Sequence, residues 1–364
     1  MNLAWTWDEI DQDWLLGSKL AATPDEVVTA FNRVDHVLGR GWIEASRTHS
    51  GVPSRGTLVT LHVVTTGQLL ANLDSISGTD ELIEKLRIHD ASAFAELTAL
   101  HLIRSQEPSS IIEVGPSDRV GDRNRRPDFR VRLGSEAWIY VEVTQPDIAE
   151  AQTRVQNVLN RIADLLQPIK KGFALEVFLR REPTNEDLEE LVPAIQDVCV
   201  LEGHQSRDLP GLAILTLNAS QPGLVVPLEH SGEPNVPRLG CAKALSGLSE
   251  PHRHISVRMA YADDRAEDFL RKEAKQLPSD SPGLIMVQMS RAPGGFKSWE
   301  PVLRRRLQPT QHTRVSMVCL FGSGYQLTPE GEAWILETKL IPNPNARFPL
   351  STWITDALSK AGSG

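Results

Sequence analysis

The feature that most constrains this chain is a pair of alternating segments, Pro127-Asp-Phe-Arg-Val-Arg-Leu133 and Ala137-Trp-Ile-Tyr-Val-Glu-Val-Thr144, joined through Gly134-Ser-Glu136. Each alternates apolar and polar residues with a period of two, the pattern of a strand with one buried face. Loop length then decides which residues face each other. A two-residue loop pairs Leu133 with Glu136 and sets Arg130 beside Ile139, which puts charge into the apolar face. A three-residue loop pairs Leu133 with Ala137, Val131 with Ile139 and Phe129 with Val141, and keeps that face apolar throughout. Three-residue hairpin loops containing glycine are common, so this register is expected. Its other face carries Asp128 beside Glu142, Arg130 beside Tyr140 and Arg132 beside Trp138, with Thr144 further along.

Two adjacent carboxylates repel, and at neutral pH one takes a proton unless a cation holds the pair. A hard divalent ion is one answer, since Mg²⁺ binds one or two carboxylates plus water and phosphate oxygens. Neutralisation by Arg130 or a neighbouring arginine is the other. A third acid lies upstream in Ala91-Ser-Ala-Phe-Ala-Glu-Leu-Thr-Ala-Leu-His-Leu-Ile-Arg104. At ~100° per residue, Ala93, Ala99, Leu100 and Ile103 fall within about 60° of Glu96, while Thr98, His101 and Ser105 point the other way. Glu96 therefore occupies an apolar face, where an unpartnered carboxylate is costly to desolvate. It is either a core residue bonded to a backbone amide or an arginine, or part of a metal or catalytic site.

Charge adds a fourth element. The chain carries 38 Lys and Arg against 47 Asp and Glu, a net charge of −9, so it does not coat a polyanion by bulk charge. Between Arg119 and Arg132, however, six arginines (119, 123, 125, 126, 130 and 132) face only Asp122 and Asp128, a local +4. Gly115 and Gly121 mark this stretch as loop. Arginine is the preferred planar partner of phosphate, and a basic loop beside a carboxylate pair suits a metal-assisted phosphodiester site. A solvated loop is the alternative.

Glu96 on a helix, Pro127-Asp128 at a strand start and Glu142-Val143-Thr144 at a strand end resemble the PD-(D/E)XK (restriction-endonuclease-like) nuclease superfamily. The resemblance covers roughly residues 91–180 and implies a mixed sheet flanked by helices, built in the order helix, three strands, helix, strand. It assigns Ile148 to Lys170 as the second core helix and Phe173–Leu179 as the fourth strand. It implies Mg²⁺ or Mn²⁺ on Asp128 and Glu142 with Glu96, and hydrolysis of phosphodiesters, of DNA before RNA. Catalysis falls to Glu96, Asp128, Glu142 and Thr144, and phosphate contact to Arg123, Arg125, Arg126, Arg130 and Arg154. The sequence departs from the family at Thr144, where the family has a lysine that activates water and steadies charge on the phosphate. A hydroxyl has neither charge nor a usable pKa. Arg154 and Lys170 are candidates to replace the lysine from the next helix. A catalytically inactive nuclease-fold protein, serving as a nucleic-acid-binding or protein-interaction module, is the alternative function.

The remaining sequence frames this core. The expected class is α/β (α+β), with an N-terminal helical/β region over 1–90, the core over 91–182 and a C-terminal α/β extension over 183–364. Thr23-Pro-Asp-Glu26 starts a helix, and Gly56 to Val64 reads as β-rich. Further helices are expected at Asn185 to Val200 and Asp263 to Gln276, with strands at 211–217, 224–228, 284–289, 315–321 and 335–341. The Pro/Gly-rich stretch 230–250 is the best candidate boundary. Trp5, Trp7, Trp14 and Trp42 read as packing anchors, His252-Arg-His254 as surface, and Lys272, Lys275 and Gln276 as solvated. Three scattered cysteines, no apolar run near the ~20 residues a bilayer needs and no leader-like N-terminus point to a cytoplasmic protein without a membrane partner, and the nuclease resemblance implies a bacterial one. A homodimer is compatible with this pattern.

Overall fold

A computed structural model describes residues 4–14, 20–49, 56–116, 126–146, 148–181, 183–200, 205–218, 238–246, 251–260, 262–289 and 296–361. Helices α1 (Trp7–Trp14), α2 (Pro24–Leu38), α3 (Arg40–His49), α4 (Gly56–Leu70) and α5 (Asp80–Arg87) precede α6 (Ala91–Arg104). Strands β1 (Ile111–Val114), β2 (Phe129–Arg132) and β3 (Ile139–Thr144) follow, then α7 (Ile148–Leu166), β4 (Phe173–Leu179) and α8 (Asn185–Val200). Next come β5 (Gln205–Leu209), β6 (Ala213–Asn218), β7 (Arg238–Ala244) and β8 (Arg253–Ala260). The chain closes with α9 (Ala262–Ala274), β9 (Gly283–Gln288), α10 (Phe296–Arg306), β10 (Val315–Thr328), β11 (Gly331–Pro342) and α11 (Thr352–Ala361). This is the expected α+β class, with two mixed sheets flanked by helices.

The chain forms two compact units. The first comprises Met1–Pro146, Asp268–Ser290 and Arg304–Gly364; the second comprises Asp147–Glu267 and Arg291–Leu303. The first holds a six-stranded sheet in the order β1-β2-β3-β9-β10-β11. Strands β1, β2 and β3 run antiparallel, β3, β9 and β10 are parallel, and β11 returns antiparallel to β10. The β2–β3 register is the one the apolar pattern selects: Phe129 faces Val141, Arg130 faces Tyr140 and Val131 faces Ile139. The Glu136 amide donates to the Leu133 carbonyl at 3.1 Å, and Gly134 takes a φ of +56°, which its missing Cβ permits. Phe129, Val131, Ile139 and Val141 join Ala93, Leu97 and Leu100 of α6 in one core.

Two expectations about this unit change. The tract from Gly56 is not β-rich but helical, as α4. Its Thr60, Val63, Val64, Thr65 and Thr66 are buried, and a tract apolar on every side gives no period to separate helix from strand. Packing overrides the β preference of its branched residues, and the Thr66 hydroxyl is satisfied by the His62 carbonyl at 2.7 Å. Helix α6 is likewise buried nearly all round, so Thr98, which the wheel turns outward, lies inside and donates to the Phe94 carbonyl at 2.8 Å.

The expected second core helix and fourth strand are also placed elsewhere. Strand β4 belongs to the second unit's sheet, ordered β5-β6-β4-β8-β7, and α7 packs on β7 and β8. An apolar stripe shows that a helix covers a sheet, not which sheet. In the first unit the helix–strand pair that follows β3 is α9 and β9, with β9 parallel to β3. Residues 147–267 thus interrupt the order helix, three strands, helix, strand. The expected continuous core over 91–182 spans both units. In the second unit Arg253, centre of the His-x-His sequence, is buried, and its guanidinium donates to the carbonyls of Gln167, Ile169 and Leu245. The strand expected at 224–228 and most of 230–250 lie outside the described residues.

Thr23 caps α2 in a reciprocal box with Glu26, as read from sequence. Helix α2 crosses α4 at Gly67, where a Cβ would stand 2.6 Å from the Ala30 Cα. The two backbones would have to separate. Gly67→Ala is therefore expected to lower stability by about 1–3 kcal/mol, read as a reduced urea midpoint with unchanged slope.

Candidate functional site

The alternation that buries Phe129 and Val141 sends Asp128 and Glu142 out through the other side of their strands. Asp128 sits one residue ahead of β2. Its carbonyl accepts the Gly115 amide at 2.7 Å, and its Oδ2 accepts the Val143 amide at 2.6 Å. Glu142, on β3, is only 2% exposed. Its Oε2 accepts the Gln276 Nε2 at 3.1 Å, while its Oε1 is buried with no hydrogen-bond partner. Gln276, just past α9, also donates to the Oε2 of Glu273. Glu273 is buried on α9, and its Oε1 lies 3.1 Å from the exposed Lys272 ammonium. From α6, the buried Glu96 places its Oε1 3.8 Å from the Lys85 ammonium, which also meets Glu81 at 3.4 Å.

These acids share one field. Burial, and then the Asp128 charge, raise Glu96 to about 7, against the pull of Lys85. Burial raises Asp128 to about 6; the Val143 amide opposes the rise and Glu273 adds to it. Glu142 is pushed well above the carboxylate range by burial, then by Asp128 and Glu273. Without a cation this cluster holds protons at neutral pH.

The sequence-derived candidates divide clearly. Glu96, Asp128 and Glu142 are brought into one interacting group. Thr144 lies half-buried on β3, facing the same side as Glu142. Arg130 does not neutralise the carboxylate pair: its Nη2 and Nε reach Glu113 across β1 at 2.7 and 2.9 Å, and its guanidinium lies 4.4 Å from the Trp138 ring centre. Arg126 is exposed, and Arg123 and Arg125 lie outside the described residues. Arg154 and Lys170 belong to the second unit, so the helix that follows β3 in the first unit is α9. It carries Lys272 and, with its flanking turn, Lys275 and Gln276.

Lys85, Lys272, Glu273 and Gln276 were not legible as site residues. For Glu273 a signal existed: Ala266, Leu270, Glu273 and Leu277 follow the 4, 3, 4 spacing of one helical stripe, and the three apolar members are buried. Gln276, expected in solvent, is instead held by two carboxylates. Nothing local marks Lys85, because its partner belongs to the next helix.

Among the described residues, no group of three or more His, Cys, Asp or Glu side chains is arranged to hold a metal ion. The two acids that the resemblance assigns to a hard cation, Asp128 and Glu142, share one field, and the Glu142 Oε1 is buried without a hydrogen-bond partner. The chain matches no protein-family model and no curated protein.

The protonation of Glu96 makes a stability prediction. Its folded-state value is raised, so the folded chain holds this proton more tightly than the unfolded chain. Ionising Glu96 thus lowers stability progressively from about pH 4.5 to about pH 7, and the full loss persists above. Glu96→Gln, unfolded by urea in EDTA, is expected to match wild type near pH 4.5. At pH 8 it should be more stable by up to about 3 kcal/mol. A difference independent of pH would show that Glu96 titrates normally.

Proposed function

We propose that the first unit is a divalent-metal-dependent phosphodiesterase site acting on nucleic acid, with DNA ahead of RNA as the nuclease resemblance implies. The observation that carries this reading is the Glu142 Oε1, a buried carboxylate oxygen without a hydrogen bond, on a side chain that feels the charge of Asp128 and, more weakly, of Glu96. Leaving such an atom unsatisfied is costly, and a cation relieves the cost while converting three mutually repelling acids into a stable set. The order helix, three strands, helix, strand, completed by α9 and β9, supports the same resemblance more closely than α7 and β4 do.

Asp128 and Glu142 would hold Mg²⁺ or Mn²⁺, which supplies Lewis-acid polarisation of a phosphoryl oxygen and acidifies water. The protein's own groups have distinct tasks. Gln276 holds Glu142 by one oxygen and leaves the other without a hydrogen bond. Glu96, poised near neutrality, orients the attacking water and takes its proton. Lys85 and Lys272 bring ammonium charge from helices where the family uses a strand lysine, so Thr144 need not act as a base. Thr144 is also what favours the second reading, a binding module that holds nucleic acid without cutting it.

Calorimetry with Mn²⁺ beside cleavage of supercoiled plasmid tests both readings. Wild type is expected to show saturable binding that Asp128→Ala abolishes. Glu96→Gln should retain binding while cutting about 100-fold more slowly. Saturable binding with no cleavage by wild type would select the binding module, and no Mn²⁺ binding at all would remove the metal-dependent reading.

A further inference from the structure

The face that carries Asp128 and Glu142 continues in ordered rows across three strands. Nearest the carboxylates stand Glu113, Arg130 and Tyr140; beyond them come Ile111, Arg132 and, across the hairpin, Trp138. The two arginines differ in kind. Arg130 is offset by its two contacts with Glu113. Arg132 has its guanidinium 4.5 Å from the Trp138 ring centre, and among the described residues no carboxylate is paired with it; its Nε is buried and bonded to nothing. The hairpin's own acid, Glu136, is turned to the Trp353 indole, which donates to it at 3.0 Å. Ile111, opposite Arg132 on β1, is 44% exposed. The row is therefore a half-buried guanidinium over an indole, without a carboxylate partner among the described residues and bordered by an exposed aliphatic side chain. Planar cations of this kind favour phosphate.

We propose that Arg132, with Trp138 and Ile111, is a subsite for a non-scissile phosphodiester of a single nucleic-acid strand. Four residues of strand at ~3.4 Å each separate Arg132 from Asp128, about 14 Å, which is within the span of one short oligonucleotide. The choice of ligand rests on the phosphodiester reading of the carboxylates; the binding itself needs neither metal nor cleavage. Trp138 holds the guanidinium over its ring, and Ile111 offers apolar surface to a base or sugar.

The probe is a fluorescein-labelled single-stranded 12-mer, as DNA and as RNA of the same sequence, titrated in EDTA by anisotropy at several salt concentrations. Wild type is expected to bind. Arg132→Ala should weaken binding about tenfold and make the salt slope shallower by about 0.7, the contribution of one phosphate on a single strand. Arg132→Lys should restore the slope but only part of the affinity, because an ammonium lacks the planar, bidentate donors of a guanidinium. The subsite reads phosphate, so both probes should respond, and the tighter one identifies the natural strand. Arg132→Ala binding within twofold of wild type with an unchanged slope overturns the proposal, as does failure of wild type to bind either probe. Asp128→Ala separates this inference from the metal reading: it should lose Mn²⁺ yet keep Arg132-dependent oligonucleotide binding.

Discussion

A hairpin that must bury Phe129, Val131, Ile139 and Val141 on one side has no choice about Asp128 and Glu142 on the other. Each of those apolar side chains is worth roughly 1.5–3 kcal/mol when fully buried, and all four are at most 1% exposed beneath α6. A shift of one residue would turn the whole set outward. The repulsion between the two acids is therefore imposed by the core, which outweighs it. Once the register is fixed, chemistry on the second face concerns how that repulsion is answered.

The answers come from the hairpin's own backbone and from helices at several removes. Gln276 engages one oxygen of Glu142, the Val143 amide engages one of Asp128, and Lys85 approaches Glu96 at the edge of ion-pair distance. None of these removes the burial that raises all three acids. Under the proposed metal reading a cation would compete with these protons, and its affinity would rise with pH as the carboxylates are freed. The neutral range, where Glu96 and Asp128 lie close to their midpoints, is where the protonation of the cluster changes most.

What could be read from sequence was what is local. The hairpin register follows from alternation across three loop residues, and the burial of Glu96 follows from the spacing on its own helix. The Thr23 cap and the bounds of α6 and α8 are equally short-range. Gln276 meets Glu142 across 134 positions of sequence, and the intervening unit hides that α9, not α7, follows β3 in the sheet that matters. Arg130 seemed available to the acids because its partner, Glu113, becomes visible only once β1 is known to pair with β2. The tract that forms α4 misled for the opposite reason: its local preference for strand was real, but burial on all sides decided against it.

The interruption at 147–267 has a physical logic. A parallel pair such as β3 and β9 needs a crossover connection, unlike the tight turn of β2 and β3. The closure cost of that connection grows only slowly with length, so the crossover is the place where a second compact unit can be inserted at least cost to the first sheet. The hairpin tolerates no such insertion, because its register sets the carboxylates.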